Sequence, residues 1–350
     1  MDVAELVSEL CAVPAPSGAE HELRERLIER WTQRCASVAR DAVGNVVARV
    51  GVSGPRVLVQ GHMDQVGYLV RHVTEDGFVL LDGSQGDRRN GPERRHPVGQ
   101  PVRLLARDDT WVDGLLVASS GHVLTAEQRD RHRLGYDDFW VELGVGDRDA
   151  VHALGIHVGA PVVFSAPVRS LGSLLVGPAM DDRVALAAMD LLLDAASSEL
   201  AVELWLAATV QEENGLHGAR AVAAAERFDA VIAVDVGLVG DIPAVSEREH
   251  ATALGAGPTI VHRDTGIVYD RALNQHLHAL AASAGIAVQD GLFAGYGSDG
   301  LTFAESGSPT TLLTIPTRYT HTAFETVDPR DVEATVALLA ELVTHALPAR

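Results

Sequence analysis

The sequence predicts an α/β fold in which a mainly parallel sheet is flanked by helices and carries an inserted small β-rich domain. Beyond residue 171, apolar β-branched runs alternate with segments of helical periodicity, which is typical of βαβ units. Between residues 69 and 166, short alternating segments are separated by Gly, Asp and Pro, as in small β domains. We therefore expect one domain formed by residues 1–68 and 167–350, interrupted by a second domain at 69–166.

The N-terminal segment is expected to begin with helices and then to enter the sheet. The PAPSG break at 14–18 separates two amphipathic stretches, and Gly44-Asn45 marks a turn between two extended ones. The predicted elements are helices at 2–12 and 19–34, a strand pair within 41–50 and a buried strand at 56–60.

Strands and helices are expected to alternate through the C-terminal half. The predicted strands lie at 173–177, 203–210, 230–235, 286–289 and 310–315. The predicted helices lie at 182–198, 217–227, 271–284, 299–306 and 328–346. In the insert, the basic run GDRRNGPERRH (86–96) predicts a solvated surface loop.

Composition narrows the possible classes of protein. A chain of 350 residues that is 47% hydrophobic can bury more than one core and is not expected to be disordered. The formal charge of −20 argues against nucleic acid and anionic membranes as partners. No apolar run approaches the roughly 18 residues of a membrane span. Two cysteines are too few for a disulfide framework, so we expect a cytoplasmic protein.

Residues of the types that bind metals follow the ends of the predicted strands. Because the carboxyl ends of parallel strands meet at one edge of an open sheet, these side chains are expected to converge. Imidazoles and carboxylates together suit borderline divalent ions such as zinc or cobalt. The motifs are GHMDQVGYLV with His62, AMDDR with Asp181, TVQEENG with Glu212 and Glu213, AVDVG with Asp235, and RYTHT with His321.

The residue types and their spacing suggest a role for each position, and each also fits a structural alternative. Asp64 shares a face with His62 on an extended segment and is expected to accept its second ring N–H. Glu212 and Glu213 point in opposite directions, so Glu212 is assigned as general base and Glu213 as ligand. The alternatives are a core histidine at His62, N-capping at Asp181 and an acidic helix start at the Glu pair.

Asp235 and His321 are suggested as two further metal ligands, whereas Asp299 and the remaining histidines are not. Asp235 lies inside an apolar run, where a buried carboxylate needs a cation. His321 ends an apolar strand in a polar cluster. The segment GSDG with Asp299 predicts a turn and an N-cap, and a role in substrate binding is the alternative. The remaining histidines, among them His262 and His278, have no such context and are expected to be surface or structural residues.

The motifs, taken in this order and with the segment GSDGLTFAESGSPTTLLTIPTRYTHTAFETVD, resemble the M42 family of metallo-aminopeptidases nearly end to end. The resemblance implies a phosphorylase/hydrolase-like zinc exopeptidase fold and two divalent metal ions per subunit. It implies that Asp181 bridges the two metals and that Glu212 is the base. The two metal sites would be completed by His62, Asp235, Glu213 and His321. It also implies that the inserted domain drives assembly into homo-oligomers, from dimers to dodecamers.

The sequence thus predicts a dimetal aminopeptidase that removes N-terminal residues from short peptides. A related dimetal deacylase or amidase acting on N-acyl amino acids would use the same ligands, but it needs basic residues to hold a substrate carboxylate. A non-enzymatic scaffold should have lost ligands or the base, and none is missing. A glycosidase would need paired carboxylates without metal-binding histidines.

Overall fold

The computed structural model describes residues 2–51, 53–83, 98–120, 122–129, 135–196, 200–243 and 245–348. The basic loop predicted at 86–96 lies outside these residues. None of the helices in the described parts of the chain combines the length and the apolar character that a membrane span requires.

Two helices and three strands precede the insert, and six strands with two short helices follow. The first group is α1 (Val3–Cys11), α2 (His21–Thr32), β1 (Ser37–Arg40), β2 (Val46–Arg49) and β3 (Arg56–His62). The second group is β4 (Tyr68–Val73), β5 (Val79–Gly83), β6 (Gln100–Leu105), β7 (Trp111–Ala118), α3 (Ala126–Arg129), β8 (Phe139–Glu142), α4 (Arg148–Ala153) and β9 (Pro161–Phe164).

The rest of the chain returns to alternating strands and helices. Its elements are β10 (Arg169–Leu171), β11 (Leu174–Gly177), α5 (Met180–Ala195), β12 (Glu203–Thr209), α6 (His217–Ala225), β13 (Ala230–Gly237), β14 (Thr259–Arg263), α7 (Arg271–Ala284), β15 (Gln289–Leu292), α8 (Gly300–Glu305), β16 (Thr310–Arg318), β17 (Glu325–Val327) and α9 (Pro329–Thr344).

The large sheet has a parallel centre and antiparallel edges. Its main path runs β1-β2-β12-β3-β13-β16-β17-β11-β10, with β14 and β15 attached beside β16. The four central strands β12, β3, β13 and β16 are parallel, as the apolar runs predict. The pairs β2–β12, β16–β14 and β16–β17 are antiparallel. The central strands are buried on both faces, which explains why their sequences are continuously apolar.

Helices cover the central sheet, and their ends follow standard capping chemistry. Helix α5 packs against β3, β13, α1 and α9 and is buried over most of its length. Asp270 caps α7 by accepting a hydrogen bond from the N–H of Leu273. Asp328 caps α9, where Pro329 occupies the first turn. Gly285 ends α7 with a φ of +70°, a conformation that glycine adopts without strain.

Strands β4 to β9 close into a separate six-stranded barrel in the order β4-β5-β8-β7-β6-β9. Its interior is a distinct apolar cluster that includes Tyr68, Leu81, Leu104 and Val141. Strands β4 and β9 pair at Tyr68 and Val162, so the chain enters and leaves the barrel at neighbouring positions. This geometry is what an insertion into another domain requires.

The structure differs from the predicted elements in several places. The first hairpin uses β1 and β2, so its first strand lies outside the predicted range of 41–50. Strand β15 begins where the predicted strand 286–289 ends. Strands β14 and β17 were not predicted, because five and three residues carry too little periodicity to be distinguished from loops.

Candidate metal centre

The carboxyl ends of the central strands bring the predicted residues to one edge of the sheet. His62 is the last residue of β3, and it is paired with Thr209 at the end of β12. Glu212 and Glu213 follow β12 by a short turn, and Asp235 lies near the end of β13. His321 stands in the connection between β16 and β17. Together with Asp181 at the start of α5, these side chains line one cleft of about 470 Å³.

Two groups of possible ligands share Asp181. In one group, Nε2 of His62 lies 3.0 Å from Oδ1 of Asp181 and 3.9 Å from Oδ1 of Asp235. In the other, Nε2 of His321 lies 3.3 Å from Oδ2 of Asp181 and 3.4 Å from Oε1 of Glu213. The donor atoms of each group lie within 4.8 Å of one another. Asp181 thus turns one oxygen toward each histidine.

The donor set fits divalent cations. Burial raises the pKa of Asp235 well above its usual range and that of Glu213 to about 7. Burial also works against the charge of Asp181, but hydrogen bonds from His321 and His62 hold its pKa below the usual value. Among the described residues that line the cleft there is no Lys or Arg. A cation bound between these oxygens and imidazole nitrogens would compensate for the buried negative charge.

Asp64 organises the site through both its carbonyl and its carboxylate. Nδ1 of His62 lies 3.0 Å from the backbone oxygen of Asp64 and 3.5 Å from its Oδ1, so the shorter contact is to the carbonyl. The carboxylate accepts hydrogen bonds from the backbone N–H of Glu212 at 2.8 Å and of Glu213 at 3.3 Å. It also accepts one from Ser17 Oγ at 2.6 Å. Asp64 therefore orients the histidine and the Glu pair together.

Glu212 lines the same cleft as the two ligand groups. Burial raises its pKa well above the usual range, and the neighbouring Glu213 adds to the shift while His62 opposes it. A carboxylate in such surroundings holds a proton more readily than one in water, which is the property required of a group that takes up and delivers a proton.

The acidic pair at the start of α5 does not cap the helix. The residue at the N-cap position is Ala179, and no side chain makes a capping hydrogen bond there. Asp181 faces the two histidines, whereas Oδ2 of Asp182 accepts a hydrogen bond from the backbone N–H of His62 at 3.1 Å. The peptide bond between the two aspartates is cis. The capping alternative is therefore wrong for this pair.

Of two buried carboxylates near the site, Glu325 was not predicted, and Asp299 was expected mainly as a helix cap. Glu325 in β17 accepts hydrogen bonds from the backbone N–H of His321 at 2.6 Å and of Asp181 at 3.1 Å. Burial raises its pKa to about 8. Asp299 accepts hydrogen bonds from Gln60 Nε2 and Thr209 Oγ1, both at 2.6 Å, and makes no capping bond in α8. The available sequence signal for Glu325 was a Glu set between aromatic and β-branched residues, in the segment FETV.

Backbone conformations of positive φ cluster around the cleft. Six non-glycine residues in the described part of the chain have such φ values, and Asp109 is the one in the barrel. The other five flank or line the cleft: Ala179, Gln211, Leu216, Tyr319 and His321. Residues held in this region of conformational space concentrate at functional sites, where the surrounding structure imposes the geometry.

A cleft rich in carboxylates and containing histidines, at the carboxyl edge of a parallel-centred α/β sheet, is typical of metal-dependent hydrolases. The family model for M42 glutamyl aminopeptidase matches residues 44–338. The chain therefore belongs to the M42 family, whose members use divalent metal ions, and it is an aminopeptidase that removes N-terminal residues.

Individual relatives agree with this assignment along the whole chain. The lysyl aminopeptidase of Pyrococcus furiosus is 27% identical, and the match covers 98% of this chain and 97% of that protein. An aminopeptidase from the archaeon Desulfurococcus kamchatkensis superposes with a TM-score of 0.92 at 28% identity, covering 99% of this chain and 95% of the other. The TET1 peptidase of Pyrococcus horikoshii superposes at 0.86 and 26% identity, covering 98% and 99%.

Proposed function

We propose that this aminopeptidase binds two divalent metal ions per subunit in the cleft, zinc or cobalt, and acts on short peptides. The observation that carries the proposal is the position of Asp181 between two ligand groups, with one carboxylate oxygen toward His62 and the other toward His321. His62 and Asp235 would complete one metal site, and Glu213 and His321 the other. A bound metal pair would polarise the scissile carbonyl and acidify water.

The remaining steps belong to residues of the chain. Glu212 takes a proton from the attacking water and later delivers it to the leaving amine. Asp64 holds the backbone of Glu212 and Glu213 by two hydrogen bonds and so fixes where both carboxylates stand. Glu325 fixes the backbones of Asp181 and His321 in the same way, across two elements that are far apart in sequence.

The residues that line the cleft give little support to a substrate carboxylate. The described lining contains no Lys or Arg that could pair with the carboxylate of an N-acyl amino acid. Arg318 lies near the cleft at the end of β16, but its guanidinium is paired with Asp241 at 2.6 and 2.9 Å. A deacylase acting on N-acyl amino acids would need such a cation to be available, so this alternative receives less support.

The experiment is a hydrolysis screen on the purified, chelator-treated protein. Aminoacyl-anilides with a free amine are compared with their N-acetylated counterparts, after zinc, cobalt or manganese is added back. We expect metal-dependent cleavage of the free-amine series alone, and bound metal measured in parallel should approach two ions per subunit. Cleavage of the acetylated series with inert free amines would move the protein to the deacylase class.

We also propose that the chain forms a homo-oligomer through the domain at 69–166 and functions in the cytoplasm. The P. horikoshii relative can assemble into a tetrahedron or a large octahedral shell. The barrel has its own core and so provides a unit that could dock separately. Cys11 and Cys35 are both free thiols, which suits a reducing compartment.

A further inference from the structure

Two histidines and an aspartate converge outside the cleft, at positions that no sequence motif marks as a site. Nε2 of His262 lies 2.5 Å from Oδ1 of Asp290, and Nε2 of His278 lies 3.0 Å from the same oxygen. The two imidazole rings stack, with centroids 6.2 Å apart and planes inclined by 17°. Both rings therefore present the same nitrogen to one point.

Three different elements supply these residues, so the cluster is not a local sequence motif. His262 is on β14, His278 is in the middle of α7 and Asp290 is on β15, which pairs with β14 in parallel. Asn274, buried on α7, donates to the backbone oxygen of Val261 at 3.1 Å and lies 3.4 Å from Nδ1 of His262. The rigid strands and helix thus hold the two rings in a fixed relation.

The donor atoms lie slightly closer together than the ligands of a small divalent ion, so they must move apart to bind one. Zinc bonds to nitrogen and oxygen of about 2.0–2.2 Å in tetrahedral geometry separate ligand atoms by roughly 3.3–3.6 Å. The three donor atoms already lie within 4.8 Å of one another. The side chain of Asp290 is 63% exposed and is free to adjust by the small amount required. Two imidazoles and one carboxylate are a donor set for zinc, cobalt or nickel.

The surroundings are open and acidic. His262 and Asp290 form part of the wall of a cavity of about 430 Å³, which shares no described lining residue with the catalytic cleft. Glu247 and Glu249 line the same cavity, with Arg248 as the cationic group among the described lining residues. Added to the formal charge of −20 for the chain, this setting attracts cations.

We propose that His262, His278 and Asp290 form a further metal site, separate from the cleft, that takes a zinc-like divalent ion. The three residues leave coordination positions open to water. A bound ion links β14, β15 and α7, the elements at the outer side of β16, and therefore stabilises this corner of the sheet. Because the site does not contact the cleft, peptide cleavage should not depend on it.

The test compares zinc content in the full-length protein and in variants. The chelator-treated protein is loaded with zinc, freed of excess by gel filtration, and its zinc per subunit is measured by mass spectrometry. His278→Gln keeps a hydrogen-bond donor and suits a helix, but amide side chains are poor zinc ligands. His262→Gln tests the site from the other element. His345→Gln is the matched control, since His345 is also exposed and also lies near a carboxylate, Glu341.

We expect each of His278→Gln and His262→Gln to bind one zinc ion fewer per subunit than the parent, and zinc affinity at this site to fall at least about 10-fold. Circular dichroism and peptidase activity should be unchanged, and His345→Gln should keep the full count. Because the result is a difference, it does not depend on how many ions the cleft holds. An unchanged count in both well-folded variants would show a hydrogen-bonded His–Asp–His cluster instead. An equal loss in His345→Gln would show nonspecific surface binding and would also overturn the proposal.

Discussion

At the scale of single residues, the cleft depends on side chains that act in pairs. Glu212 and Glu213 are adjacent in sequence and are held by the same carboxylate, Asp64, through their backbone N–H groups. Glu213 places Oε1 3.4 Å from Nε2 of His321 and is a member of that ligand group, whereas Glu212 is in neither of the two ligand groups of the cleft. The two carboxylates should therefore respond differently to the same substitution.

Glu212→Gln should retain the bound metal yet lose turnover, because the amide cannot accept the proton. We expect kcat to fall about 10²–10⁴-fold, with little change in KM. Metal content is measured alongside the kinetics. Glu213→Gln is the matched control and should lower metal content as well as activity. Near-normal turnover in a metal-loaded Glu212→Gln protein would remove its assignment as base.

Asp181→Ala should prevent stable binding of either ion in the cleft, because both ligand groups lose a member at once. Asp235→Ala removes a member of one group only and should spare the other ion. Metal content of both variants, measured after equilibration with zinc, separates the two cases. Retention of two cleft ions by the Asp181→Ala protein would contradict the bridging role.

Whether a site residue could be predicted from the sequence depends on its position relative to the strands. His62, Asp181, the Glu pair, Asp235 and His321 all follow apolar strands, and the topology of a parallel sheet brings such positions together. Glu325 could not be assigned in this way, because its contacts are to backbone N–H groups rather than to side chains. His262, His278 and Asp290 meet only through the packing of α7 on β14 and β15, which no local pattern encodes.

At the scale of elements, helix α5, which carries Asp181 in its first turn, is anchored to α2 by one buried carboxylate. Asp190 in α5 is 1% exposed and accepts hydrogen bonds from Arg30 at 2.8 and 3.1 Å and from Trp31 Nε1 at 3.1 Å. Arg34 donates to it as well. Burial disfavours the charge of Asp190, but the two arginines outweigh burial and hold its pKa below the usual value.

Asp190→Asn should lower the free energy of unfolding at pH 7 by about 2–4 kcal/mol, because two arginines lose their shared partner. A lowered pKa means that the stabilisation is present above the unfolded-state pKa, about 3.9, and is lost as the pH falls through the folded-state value. The difference between parent and variant in urea unfolding should therefore shrink below about pH 4. Asp194→Asn, which removes an exposed partner of Arg34, should change stability by less than about 0.5 kcal/mol. An equal effect of both changes would refute the anchor.

The predicted strands agree best with the structure where a strand is buried on both faces of the sheet. Strands β3, β12 and β13 agree with the strands predicted from apolar runs at 56–60, 203–210 and 230–235. Helices α7 and α9 agree with those predicted at 271–284 and 328–346. The missed strands β14 and β17 lie toward the antiparallel side of β16, where short pairings are decided by neighbours rather than by their own sequence. β17 is nonetheless the strand that carries Glu325.

At the scale of the whole molecule, the barrel and the main domain have separate cores. Of the ten exposed large apolar residues among the described positions, five lie in the barrel segment: Val98, Leu115, Val123, Leu154 and Val158. Single exposed apolar side chains are also normal on monomeric proteins, so these five residues do not by themselves mark an interface. Assembly through the barrel stays a proposal, and removal of the barrel tests it.

Replacing residues 70–161 by a short Gly-Ser linker should give a soluble protein that no longer assembles. The design is feasible because Tyr68 and Val162 are paired neighbours at the base of the barrel. Light scattering should report a mass near that of one shortened subunit, against a multiple of 37.1 kDa for the full chain. Val268→Ser, which changes a residue that is 73% exposed outside the barrel, is the control and should leave the assembly intact. If the shortened protein kept the subunit number of the parent, the main domain would hold the assembly surface. The role of the barrel would then lie at the cleft, because Ala323 and Phe324, which follow His321 closely in sequence, pack with the barrel core.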